Sequence, residues 1–224
     1  MSVAENLRAV RRAIAQAAER AGRDPQTVKL VAVTKTHPAA LVQEAMAAGQ
    51  LDFGENYVQE LVDKAPLVGG DARWHFIGHL QRNKVKYLAA WIHAVHTVDQ
   101  IALAEELAKR ASAAGRRLPV LLQVNEAGEE AKSGCRPEEA EDIARAILAL
   151  PSLLLTGLMT MPPFWPAEEV RPFFAALRRR RDGLQDKLGV PLPDLSMGMS
   201  ADYAVAVEEG ATLVRVGTAI FGQR

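Results

Sequence analysis

A single cysteine, Cys135, stands in a chain of 224 residues. One thiol cannot close an intrachain disulfide, and a zinc centre built from several thiolates is excluded. An excess of charge of either sign is also lacking, since Lys plus Arg and Asp plus Glu number 27 each. No global field therefore draws the chain to nucleic acid or to an anionic membrane. No stretch approaches the ~18 consecutive apolar residues of a membrane span. The opening MSVAENLRAVRRAIAQ has no uninterrupted apolar core of the kind a secretory leader needs. These absences lead to the expectation of a cytoplasmic protein without nucleic-acid or membrane partners. Low-complexity segments and sequence repeats are missing too. Apolar residues make up 49% of the chain, enough for a sizeable core.

The chain opens on a predicted helix. Ser2 and Glu5 suit a capping box. Leu7, Val10, Ile14, Ala17 and Ala21 recur on one face, and Gly22 is a stop. Strand and helix then alternate. Predicted strands are Lys29–Lys35, Asp52–Gly54, Arg73–Ile77, Ala94–Val98, Leu118–Asn125, Leu153–Thr160, Leu195–Met197 and Thr212–Val216. Helices are predicted over Pro38–Ala48, near Glu55–Lys64, near Gln81–Ala90, from Asp99 as a cap to Gly115, from Pro137, over Val170–Leu188 and over Ala201–Glu209. Eight such units argue for a parallel sheet closed into a (β/α)₈ barrel, with one extra N-terminal helix. An open doubly wound sheet is the competing architecture, but its usual glycine-rich first turn is absent: here the turn reads T-K-T-H-P.

Barrel chemistry sits at the C-terminal ends of strands. Those ends offer Lys35, Glu55, Asn56, His79, His96, Asp99, Asn125, Thr160, Ser196, Gly198, Ser200, Arg215, Gly217 and Thr218. Lys35 closes an apolar run, and burial there would favour the neutral amine that Schiff-base chemistry requires. A lysine merely paired with a carboxylate is the plainer reading of that residue alone. The S-M-G-M-S and R-V-G-T segments end the last two strands, where barrels often grip a phosphate on backbone N–H groups and a short helix start. Ser200 suits the N-cap of the following helix as well. A phosphate grip opposite a lysine suggests a phosphorylated aldehyde. Pyridoxal 5′-phosphate (PLP) fits, and a phosphosugar Schiff-base aldolase stays open. If Val214 and Val216 face outward, Arg215 faces in. Such an arginine can only donate, so a ring nitrogen before it stays unprotonated and the coenzyme is a poor electron sink.

Ordered motifs carry a resemblance over nearly the whole chain: A-V-T-K ending at Lys35, F-G-E-N-Y-V-Q-E from Phe53, W-H-F-I-G-H-L-Q-R-N-K from Trp74, K-S-G from Lys132, G-L-M-T-M from Gly157, L-S-M-G-M-S-A-D from Leu195 and V-R-V-G-T-A-I-F-G from Val214. The sequence resembles the pyridoxal phosphate homeostasis proteins. That resemblance implies the fold-type III barrel, similar to the N-terminal domain of alanine racemase, with residues 1–224 forming one PLP-binding domain. It implies PLP held as an internal aldimine on Lys35, with Ser196, Ser200, Gly217 and Thr218 at the phosphate. Arg215 would meet the pyridine nitrogen, Asn56 and His79 would line the ring pocket, and Lys132 would serve cofactor exchange. The implied role is buffering or delivering PLP to apoenzymes, without robust turnover. A monomer is expected.

The alternative is a racemase-like enzyme using Tyr57 or Tyr203 as acid/base. Racemases of this fold carry a further β domain, whereas this sequence is filled by the barrel, so a second proton-transfer group is expected to be missing. His75 and His79 lie on a strand and beyond its end, not on one helix face, so no metal is expected. Arg178–Arg181 fans around a helix, with Arg180 predicted to lay its stem along the apolar face. Cys135 is expected to be inert, and Phe164 and Trp165 to pack within their loop.

Overall fold

The computed structural model describes residues 2–129 and 133–223. Eight strands run in chain order around a closed parallel barrel: β1 (Lys29–Val33), β2 (Asp52–Glu55), β3 (Arg73–Phe76), β4 (Ala94–Val98), β5 (Leu118–Gln123), β6 (Leu153–Met159), β7 (Asp194–Ser196) and β8 (Leu213–Val216). Closure is made by β8 against β1, with Leu30 opposite Val214 and Val31 opposite Arg215. The helices are α1 (Val3–Arg20), α2 (Ala39–Ala47), α3 (Val58–Val68), α4 (Ile101–Ala113), α5 (Ala140–Leu148), α6 (Ala167–Leu188), α7 (Tyr203–Glu208) and α8 (Thr218–Phe221). The predicted barrel with an added N-terminal helix is therefore the observed fold.

α8 is only four residues long. α1 packs beside it instead, against α7, α8 and α2, with its face of Leu7, Val10, Ile14 and Ala17 buried. The Asn6 side chain donates to the Ile220 carbonyl at 2.8 Å, tying α1 to α8, and Arg23, just past α1, donates to Val207 O of α7 at 2.6 Å. The Ser2–Glu5 capping box forms as predicted.

Apolar packing fills two regions. The larger lies between strands and helices and includes Val214 and Val216. The smaller lies inside the barrel: Val31, Leu121, Met159 and Leu213. Strand alternation therefore sends Arg215 inward, and it is buried.

Several expectations change. β1 stops at Val33 because the chain turns at once: His37 N–H donates to Thr34 O at 3.0 Å, with Thr36 at φ 63°. Lys35 thus sits on a turn. A 3₁₀ segment, Arg82–Tyr87, replaces the helix predicted over Gln81–Ala90. Its three-residue step stacks the buried Val85 and Leu88 on one side. Asp99 does not cap α4; its Oδ2 accepts from Gly134 N–H at 3.2 Å. Arg180 grips both carboxylate oxygens of Glu126, and Arg178 and Arg181 pair with Glu209 and Asp182. Among the described residues, no helix is long and apolar enough to cross a membrane.

Candidate functional site

The C-terminal rim of the barrel encloses a cleft of about 270 Å³. Lys35, Asn56, Ser200, Arg215, Gly217 and Thr218 all line it. Val33, Ile77 and Met161 supply apolar wall, and Phe164 and Trp165 stand at its edge. Those two aromatics are 92% and 53% exposed, so the expectation that they pack within their loop is corrected. Pro162, Pro163 and Pro166 surround them and remove backbone donors that would anchor the loop.

Lys35 is half-buried. Thr36 beside it is the one non-glycine residue with positive φ among those described. A polar network, buried at Lys64 and Glu55, holds that conformation. Thr36 N–H donates to Glu60 Oε1 at 2.5 Å, and the same oxygen accepts from Lys64 Nζ at 2.7 Å. Lys64 also reaches Glu55 Oε1 at 2.5 Å and Thr34 O at 2.8 Å. Burial pushes the Glu55 carboxyl up, against the pull of Lys64 and Thr34.

The opposite wall is a cradle of donors and small residues. Ser200 Oγ accepts from Gly217 N–H at 3.3 Å and lies 3.2 Å from Thr218 Oγ1. Ser200 therefore ties the loop after β7 to the start of α8. It does not cap α7, whose N-cap is Asp202. Gly198 makes this approach possible: its φ is +91°, and a Cβ there would lie 2.6 Å from Ala206 Cβ. Arg215 forms the floor. Its Nη1 donates to Ser196 Oγ at 2.6 Å and its Nη2 to Thr160 O at 3.0 Å. Burial pulls the guanidinium down to about 10, with Asp202 opposing, so it stays charged at neutral pH.

Two predicted residues lie elsewhere. The Ser196 hydroxyl is fully buried beneath the cleft, between Arg215 and His96, instead of facing a phosphate. His79 is exposed on the rim, 3.5 Å from Ser133 Oγ, and does not line the cleft. Lys132 lies outside the described residues. Cys135 is buried, and its thiol is pushed up to about 12 by burial and by Glu139 and Asp99. His75 and His79 point to different places, one inside the barrel and one on the rim. Asp52, His75 and His93 do bring ligand atoms within 4.8 Å of one another, but Asp52 already holds Arg73 and His75.

Sequence reasoning passed over Asp52 as an interior polar residue, weighed His75 only as a metal ligand, and set His96 on the rim. Their signal was available in the strands. Each sits one residue from an outward apolar neighbour (Phe53, Phe76, Val95), the alternation that sends a polar side chain inward.

The profile of the alanine racemase N-terminal domain matches residues 6–224. Pyridoxal phosphate homeostasis proteins of Aquifex aeolicus and Pseudomonas aeruginosa are 46% and 49% identical, over 100% of this chain and 99% and 96% of theirs. The chain belongs to the pyridoxal phosphate homeostasis protein family. A solved structure, PipY of Synechococcus elongatus with PLP bound, is 37% identical and superposes with a TM-score of 0.88, covering 99% of this chain and 100% of that one. Alanine racemase of Clostridium difficile shares the fold at 18% identity and a TM-score of 0.76, with 98% of this chain matching 57% of that one.

Proposed function

We propose that this family member binds PLP in the rim cleft, on Lys35, and buffers or delivers it. One observation carries the reading: a half-buried lysine, a cradle of Ser200, Gly217 and Thr218, and a buried arginine line one small cleft. The residues fit the group. Hydroxyls, small residues and the start of α8 suit a phosphate. Asn56 Oδ1 is buried there without a hydrogen-bond partner, an acceptor ready for a donor on the ring. Bound PLP supplies an aldehyde for imine formation and, when its ring nitrogen is protonated, an electron sink.

The chain's own groups favour holding over turnover. Arg215 stays protonated at neutral pH, so it donates a hydrogen bond to a facing ring nitrogen without transferring its proton and leaves that nitrogen unprotonated. Tyr57 is 58% exposed and lies outside the cleft lining. Burial raises the Tyr203 hydroxyl, which makes it a poor acid near neutrality. Delivery to PLP-dependent apoenzymes, a monomeric state and a cytoplasmic location belong to the same proposal.

The test is optical. Purified protein mixed with PLP should gain a band near ~420 nm that Lys35→Ala abolishes. Protein that stays colourless, or a Lys35→Ala variant that keeps the band, overturns the assignment. Exchange of the α-proton of L-alanine or L-serine in D₂O should stay below ~1 s⁻¹, the lower end of ordinary enzymes. Faster exchange would favour the racemase-like alternative.

A further inference from the structure

A chain of hydrogen bonds runs through the barrel from the floor of the cleft to its far end. Arg215 Nη1 donates to Ser196 Oγ at 2.6 Å. Ser196 Oγ lies 2.8 Å from His96 Nδ1, and His96 Nε2 lies 2.9 Å from His75 Nδ1. His75 Nε2 lies 3.0 Å from Asp52 Oδ1. Asp52 is held from the other side by Arg73, through Nε at 2.9 Å and Nη2 at 2.5 Å. Ser196 and His96 are fully buried, and His75 and Asp52 nearly so.

Taken from the carboxylate end, one arrangement of donors satisfies the whole chain. The Arg215 guanidinium only donates and an ionised Asp52 only accepts, so in this arrangement Ser196 Oγ accepts from Arg215 and its one O–H serves His96 Nδ1. His96 then carries its proton on Nε2 and donates to His75 Nδ1. His75 likewise carries its proton on Nε2 and donates to Asp52. In this arrangement every donation below Ser196 runs toward the carboxylate. Burial, followed by the nearby His75 and Arg215, holds the His96 imidazolium well below its ordinary range, in keeping with that pattern. The ends carry opposite charge: a guanidinium under the cleft, a carboxylate at the base. Each link polarises the next in a low-dielectric interior.

We propose that Ser196, His96 and His75 are positioning residues that relay the negative charge of Asp52 to Arg215, and so tune the proton affinity of a ligand bound above it. The proposal rests on the PLP reading for its ligand, while the relay itself is a property of the protein alone. The relay supports a buried cation without a carboxylate in direct contact, which leaves the guanidinium free to face the cleft. The other charged or titratable groups around the chain are Asp202 near Arg215 and His93 near His75 and His96.

Two measurements test it. In ¹⁵N-histidine-labelled protein without PLP, long-range ¹H–¹⁵N spectra should show His96 as a neutral Nε2–H tautomer from pH 8 to pH 6. An Nδ1–H tautomer or an imidazolium at His96 overturns the relay whether or not PLP binds. In PLP-loaded protein, the pH midpoint of the ~420 nm band should fall in Asp52→Asn by roughly 0.5 unit, about three-fold in proton affinity. The same substitution made in Ser196→Ala should move the midpoint much less, because the link is cut. An unmoved midpoint in Asp52→Asn, or an equal shift in both backgrounds, overturns the proposal; the second result assigns the effect to the direct field of Asp52. If Asp52→Asn fails to fold, His75→Gln takes its place in the same cycle. Loss of the band in wild-type protein would count against the PLP reading alone, leaving the tautomer measurement to decide the relay.

Discussion

Gly198 carries the left-handed corner of the loop after β7, at φ +91°, and its carbonyl accepts from Arg215 N–H at 3.0 Å. A side chain here meets two penalties. The backbone conformation is strained for any L-residue, by about 1–3 kcal/mol, and a new Cβ lies 2.6 Å from Ala206 Cβ on buried α7. Relief of that clash must move α7 or the loop. Gly198→Ala is expected to lose about 2–4 kcal/mol in urea unfolding and to bind PLP more weakly, since Ser200 lies two residues on. A variant that keeps wild-type stability would show that the loop relaxes freely. The glycine was legible in S-M-G-M-S as a close-approach residue. The partners of Ser196 and Ser200 were not, because a hydroxyl's choice among neighbours depends on which strands and helices meet, and no spacing encodes that.

At the scale of elements, the barrel was legible because its parts repeat. Short β-branched runs such as K-L-V-A-V and A-V-H-T-V alternate with amphipathic segments, and that alternation is local. What failed to show were elements too short for a period. α8 has four residues, fewer than the window that reveals a helix. The Lys35 turn hid for a related reason: a threonine at positive φ is held from outside its own segment, by Glu60 and Lys64 on α3. That cross-element hold is testable. Lys64→Met strands the fully buried Glu55 and takes the cation from half-buried Glu60, and removal of one partner from a buried pair costs about 3–5 kcal/mol. Adding Glu55→Gln removes the buried charge and is expected to recover much of that stability. The Thr36 N–H then still lacks a fixed Glu60, so the double variant should load PLP more slowly than wild type while unfolding at similar urea concentration. Equal loading rates would show that Lys35 needs no such hold.

For the whole molecule, the polar interior of the barrel links stability to pH. His96 is neutral in the fold because burial, with His75 and Arg215 nearby, sets its pKa well below its ordinary 6.5. His93 is shifted the same way, again chiefly by burial. The unfolded chain takes up protons at these imidazoles as pH drops past about 6.5, and the folded chain does not. Their stabilising contribution is thus complete above that pH and is lost as pH falls toward the folded values, by at most ~1.4 kcal/mol per unit for each proton. Glu55, Asp99 and Asp202 act in the opposite sense, since burial raises all three and the unfolded chain ionises first as pH climbs. The raised acids and the lowered imidazoles both act between the ordinary carboxylate and imidazole ranges, so the wild-type curve alone does not isolate the imidazoles. A comparison does. His96→Gln removes one titrating ring and leaves the three acids, so its unfolding free energy should fall less between pH 7 and pH 5.5 than that of wild type, whatever its absolute stability. Parallel curves for the two proteins in urea titrations across that range would mean that His96 is charged in the fold or indifferent to it, against both its burial and the acceptor role of its Nδ1.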